Sequence, residues 1–251
     1  MTNGKSWRLF HMEAFEVLGI AASIIAAVIF FKYGAALDRL VGQSGYHWHM
    51  FFVIVGIYAH FIPWLLLVAL AIFAIVAYVL RGRALQVFTR FGFAVRVFLA
   101  YCLLLIVFRV VNFYVPVLHP GIRDNAIQHI DKILFGGKLI ADWLQPMVTP
   151  WLTALLTGAY VAWFWLLFAT VFLLVFAGRE VVSEYVLASL LAFYLGYICY
   201  VLIPVIGPGY TVHFAIHVGD IAPQFTDQRL LIARDCFPSL HTAISVLMVI
   251  Y

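Results

Sequence analysis

The chain has 251 residues, 66% of them apolar, 17% aromatic and only 10% charged, with a net charge of +4 and a mean hydropathy of +1.06. A soluble globular domain carries about 25% charged residues, so the composition excludes one and indicates a polytopic membrane protein. The small basic excess is scattered through loops, which excludes a nucleic-acid-binding surface. Three cysteines, two of them inside apolar runs, make no disulfide framework.

A basic leader with Lys5, Arg8 and His11 precedes a first predicted span at about 15–36, and no small-residue cleavage site follows it. After a polar gap over 38–49 comes an apolar run over 50–80. At about 20 residues per span, this run is too long for one upright helix and too short for two. His60 and Pro63 within it predict a short re-entrant or interfacial piece leading into a kinked span. Arg81, Arg83 and Arg90 make the next loop the densest basic segment, and a third span is predicted at about 93–117.

Residues 119–148 are more polar and end near Pro146 and Pro150, which predicts an interfacial helix and turn outside the bilayer core. Further spans are expected at about 151–177 and 184–205. A loop over 206–237 then leads to a sixth span opening at Pro238. About 14 residues of that span are present, or about 21 Å of helix, against a hydrocarbon core of about 30 Å. The chain therefore reads as cut short there. The expected fold is an all-α membrane helix bundle of about six transmembrane spans with short interfacial helices. Lys5, Arg8, Arg179 and the 81–90 loop favour one cytoplasmic side, which places 119–148 and 206–237 on the other, extracytoplasmic or lumenal, side.

The segment that carries chemistry is Arg234-Asp235-Cys236-Phe237-Pro238-Ser239-Leu240-His241. Proline is favoured at the first position of a helix, so Ser239, Leu240 and His241 are expected in the first turn. Free amides and the positive dipole end attract an anion there. Arg234 can fork onto phosphate oxygens, and His241 can donate a proton near neutral pH. Arg109, deep in the third span, is a costly charge in hydrocarbon. It either supports a phosphate pocket with Asn112 or makes a structural pair. His213 and His217 are spaced to share one helical face and can shape the site or bind a metal; the simpler reading is two loop histidines at an interface.

Phe237-Pro238-Ser239-Leu240-His241-Thr242-Ala243 resembles the second signature of the type 2 phosphatidic acid phosphatase superfamily. Asp131-Lys132-Ile133-Leu134-Phe135-Gly136, Trp143-Leu144-Gln145 and Ile203-Pro204-Val205-Ile206-Gly207-Pro208-Gly209-Tyr210 are similar to its inositol phosphorylceramide synthase-like branch. The resemblance divides the chain into N-terminal transmembrane helices over 1–104 and a phosphatase-like core over 105–251. It implies that His241 protonates the leaving oxygen, while Ser239 and the neighbouring backbone amides hold the phosphate. Beside these, Arg234, Leu240, Gly207 and Tyr210 are candidate phosphate-binding residues, with Arg109, Asn112 and His213 as candidate supports. It implies no metal and no cofactor, a membrane lipid phosphate as substrate, and water or an alcohol head group as acceptor. The family's attacking histidine is expected beyond residue 251. The family's lysine–arginine motif has no match near Gly207. The expected activity is that of a lipid phosphatase or head-group phosphotransferase, transfer being favoured. The alternative is a lipid-phosphate-binding membrane protein without turnover.

Overall fold

In a bilayer a spanning segment must satisfy its own backbone, and the computed structural model, which describes residues 12–79, 84–211 and 234–251, is built of helices. In chain order these are α1 (Ala14–Val41), α2 (Tyr46–Val79), α3 (Ala84–Leu118), α4 (Asp124–Leu134) and α5 (Ile140–Leu144), which runs into a 3-10 turn at Gln145–Met147. Then come α6 (Pro150–Ala177), α7 (Arg179–Leu202), the single turn α8 (Pro208–Thr211) and α9 (Leu240–Ile250). No strand occurs among the described residues. Five helices, α1, α2, α3, α6 and α7, are long and apolar enough to cross a membrane. The sixth predicted segment is the 11-residue α9.

The apolar run over 50–80 corrects the expectation of a re-entrant piece. Its described part, 50–79, lies within one continuous 34-residue helix that carries Pro63 inside it. At 1.5 Å per residue that helix is about 51 Å long, enough to cross the bilayer and extend beyond it. A proline removes one backbone bond, whereas a break in hydrocarbon would strand several polar groups, so the helix continues.

The centre of the bundle is α3 against α7, where Val97, Leu104, Val115, Val182, Val186 and Leu190 are fully buried. By contrast α2 and α6 leave large apolar side chains outward, among them Ile57, Trp64 and Leu67 on α2 and Leu156, Trp165 and Leu173 on α6. Such a surface is a liability in water and is matched by lipid tails. Where α1, α3 and α7 begin, Arg96 Nε donates to Glu16 at 2.7 Å and Arg179 Nε to Glu13 at 2.8 Å, with the Phe93 ring beside both guanidiniums.

Alternating helix directions bring the α1–α2 turn, the α3–α6 connection and residues 203–207 and 234–239 to the other end. There the Asp38 carboxylate fixes the α1–α2 turn by accepting from Gly45 N at 2.8 Å and from His47 N at 2.9 Å. The segment 119–148 holds two short helices, α4 and α5, and a 3-10 turn, where the polar composition predicts one interfacial helix and a turn.

Candidate active site

The frame of this end is a pairing of two loop segments. Val205 and Asp235 form a parallel bridge, Cys236 N donates to Val205 O at 3.1 Å, and Arg123 N donates to Pro204 O at 2.7 Å. Asp124, only 3% exposed, accepts from Gly207 N at 2.8 Å and from Ile206 N at 3.1 Å. A buried carboxylate persists only where its oxygens are satisfied. Gly207 stands at φ +100 with the Cys236 sulfur packed on it, so a side chain there has neither an unstrained conformation nor room. Replacing Asp124 by alanine strands two amides and is expected to cost about 1–3 kcal/mol. The check is hydrogen exchange at Ile206 and Gly207, which should accelerate in the variant.

The signature helix begins two residues later than the proline rule predicts, at Leu240 rather than Pro238. Ser239 is the N-cap, at φ −72 and ψ 105, and its Oγ accepts from Thr242 N at 3.3 Å and from Thr242 Oγ1 at 3.1 Å. Pro238 follows a cis peptide bond and lies outside the helix. A serine cap satisfies a free amide by its side chain, which a proline at that place does not. The amides of Leu240 and His241, the first two helical residues, have no partner within the helix. The Leu240 side chain is buried against Gly196 of α7, where a side chain would collide with it. The Tyr200 hydroxyl donates to Pro238 O at 3.4 Å.

His241 sits between α9 and α6. Its ring stacks on Tyr160 with centroids 4.7 Å apart and lies 4.3 Å from the ring of Trp163. Trp163 Nε1 donates to Ser245 Oγ at 3.0 Å, and Ser245 Oγ donates to His241 O at 2.7 Å, which ties the two helices at this level. The His241 Nε2 atom is buried and has no hydrogen-bond partner. His241, Ser239, Leu240 and Asp235 line a cavity of about 680 Å³ together with Arg109 and Tyr58. That volume lies within the range of about 300–1,000 Å³ typical of small-molecule sites. Arg109 contacts the Tyr58 hydroxyl, and Asn112 Nδ2 donates to Asp235 Oδ2 at 2.9 Å.

The predicted residues therefore divide. His241, Ser239, Leu240 and Arg109 share one cavity wall, and Asn112 stands behind it through Asp235. Arg234 is not part of that wall: its Nη1 donates to His119 O at 3.0 Å and to Pro120 O at 2.8 Å, closing the end of α3. Burial draws its pKa down and the Asp124 carboxylate opposes that. The Gly207 amide is occupied by Asp124, and Tyr210 belongs to α8. His213, His217, Asp220, Asp227 and Arg229 lie outside the described residues, as do Lys5, Arg8, Arg81 and Arg83. Burial, with Asp235 and Asp124 nearby, pushes the Cys236 thiol up, which keeps it protonated and a poor nucleophile at neutral pH.

Two features of this end are not singled out by the sequence. One is Asp124, which lies in a polar connection and is buried only by the fold. The other is the aromatic clamp of Tyr160 and Trp163 on His241. The signal for the clamp is the spacing Tyr160-x-x-Trp163-Phe164, which puts three rings on one helical face.

Together the fold and the cavity define an integral membrane protein with an imidazole and a guanidinium on one aromatic-lined chamber near one end of the bundle. The sequence pattern of the PAP2 superfamily matches residues 125–251, about half of the chain, and the chain belongs to that superfamily. No curated protein and no solved structure matches it. Membership supports an enzyme of the phosphatase type acting on a lipid phosphoester. Arg109 and Tyr58 reach the cavity from helices that precede the matched residues.

Proposed function

We propose that this protein cleaves a phosphoester of a membrane lipid and passes the phosphoryl group to water or to an alcohol head group. The similarity of residues 131–136, 143–145 and 203–210 to the inositol phosphorylceramide synthase-like branch favours transfer. The single observation that carries the reading is the buried, unpartnered Nε2 of His241 on a cavity that also holds the Arg109 guanidinium. In this reading the bond between phosphorus and the lipid oxygen breaks, and imidazolium His241 gives its proton to that leaving oxygen. The accepting water or alcohol loses a proton as its oxygen bonds to phosphorus, and through solvent that proton returns neutral His241 to its imidazolium form.

Charge on the phosphoryl oxygens is met by Arg109, the Ser239 hydroxyl and the free amides of Leu240 and His241, all in place before reaction. Arg234 and Gly207 act as positioning residues that hold the signature loop, with Asn112 steadying it through Asp235. Arg81, Arg83 and Arg90, between the second and third spans in sequence, support a site on the extracytoplasmic or lumenal side. A second reading, binding of a lipid phosphate without turnover, has one observation in its favour: among the described residues, His241 is the one histidine lining the cavity. The test is the protein in phosphatidylcholine vesicles containing phosphatidic acid labelled in its phosphate, with and without an added polyol. Labelled inorganic phosphate marks hydrolysis, and label on the polyol marks transfer. Saturable binding of the labelled lipid with neither product supports the second reading.

A further inference from the structure

The His241 cavity does not end at the polar head of the site. Its walls at Tyr101, Leu167 and Phe168 are also walls of a second, largely apolar cavity of about 470 Å³. The two follow one another along the same three helices. On α3 the first uses residues 101–109 and the second 91–101; on α6 the first uses 160–168 and the second 165–175. The outer wall is α2, which contributes Tyr58 to the first and residues between Leu66 and Phe73 to the second. A cluster of rings stands at the far end. Phe73 lies 5.0 Å from Phe91 and 5.9 Å from Phe176, and Phe172 lies 5.1 Å from Phe176.

The depth can be set against the bilayer. From Trp163, beside His241, to Phe172 there are nine residues of α6, or about 14 Å at 1.5 Å per residue. One leaflet of the hydrocarbon core is about 15 Å thick. We infer that this cleft between α2, α3 and α6 is the binding site for one acyl chain of the lipid whose phosphate lies at His241, and that the Phe73–Phe172–Phe176 cluster is its floor and limits chain length. The inference rests on the lipid-phosphate reading above and adds α2, outside the matched family residues, to the substrate site. The occupant is an alkyl chain rather than a partner helix, because the cleft continues into the chamber that holds the polar groups.

The test is photolabelling of the protein in phosphatidylcholine vesicles by phosphatidic acid with a diazirine near the end of one acyl chain. Labelled peptides are mapped, and turnover of dihexanoyl and dioleoyl phosphatidic acid is measured in parallel. Label is expected on residues 66–73 of α2 and 168–175 of α6. Ala69→Trp, which fills the cleft, should lower this label and raise the KM for the dioleoyl lipid about tenfold, the equivalent of roughly two methylenes left unburied. Dihexanoyl turnover should stay unchanged, which also reports that the variant is folded. Phe172→Ala should lower the KM for lipids with longer chains. Label spread evenly over the lipid-facing helices, or unaltered by Ala69→Trp in folded protein, would overturn the inference. Labelling of the cleft without turnover of either lipid would leave the acyl site standing and remove the catalytic reading instead.

Discussion

His241→Ala is expected to lower turnover of a lipid phosphoester by about 10²–10⁴-fold, the usual worth of a positioned general acid. The imidazole is held on two sides by the rings of Tyr160 and Trp163, so it presents its Nε2 atom in one orientation rather than many. Losing the ring removes aromatic contacts worth about 0.5–1.5 kcal/mol each, too little to unfold a bundle whose core is α3 against α7. The variant should therefore keep its thermal transition within a few degrees and still bind the lipid phosphate. A substrate whose leaving group needs no proton, such as a p-nitrophenyl phosphoester, should lose much less rate than the lipid. Equal losses on both substrates would move His241 from proton donor to phosphate ligand.

Arg109→Met is expected to lower kcat/KM by about 10²–10³-fold, the effect of removing one donor aimed at developing oxyanion charge. Methionine keeps length and removes the charge, so the wall at Tyr58 stays filled. Folding stability should be unchanged or higher, since a cation within a membrane helix is costly unless it meets a partner. Arg234→Ala should behave differently. Its guanidinium holds the carbonyls of His119 and Pro120 rather than the cavity, so it should loosen the loop and reduce activity less. The pair of measurements separates the two arginines: a larger rate loss for Arg234→Ala than for Arg109→Met would return Arg234 to the phosphate.

The span pattern is legible in the sequence because a bilayer allows few alternatives. Residues 15–36, 93–117 and 151–177 each lie inside a long apolar helix; the first runs on to Val41, the second starts earlier at Ala84, and the third matches within one residue. The run over 50–80 is not legible. Proline and histidine suggest a break, and the cost of an open backbone in hydrocarbon outweighs both. Arg109 is visible from sequence alone because a charge in that setting needs a reason. Asp124 is hidden because a carboxylate in a polar connection looks solvated, and its burial depends on the fold bringing Ile206 and Gly207 to it. The clamp on His241 is hidden for the opposite reason: where 17% of residues are aromatic, Tyr160 and Trp163 do not stand out until α9 is placed beside α6. Arg234 shows the limit of motif reading, since a cation next to a phosphate signature can serve the backbone instead.

A lipid phosphate is expected to seat in the cavity shared by His241 and Arg109. The most direct test is an experimental structure of the protein in a lipid nanodisc with a non-hydrolysable phosphonate analogue of phosphatidic acid. A phosphonate oxygen is expected within about 2.6–3.2 Å of His241 Nε2, the reach of a general acid, with other phosphonate oxygens on Arg109 and the amides opening α9. A phosphonate bound elsewhere on the bundle, with the His241 chamber filled only by side chains or lipid tails, would contradict that seating.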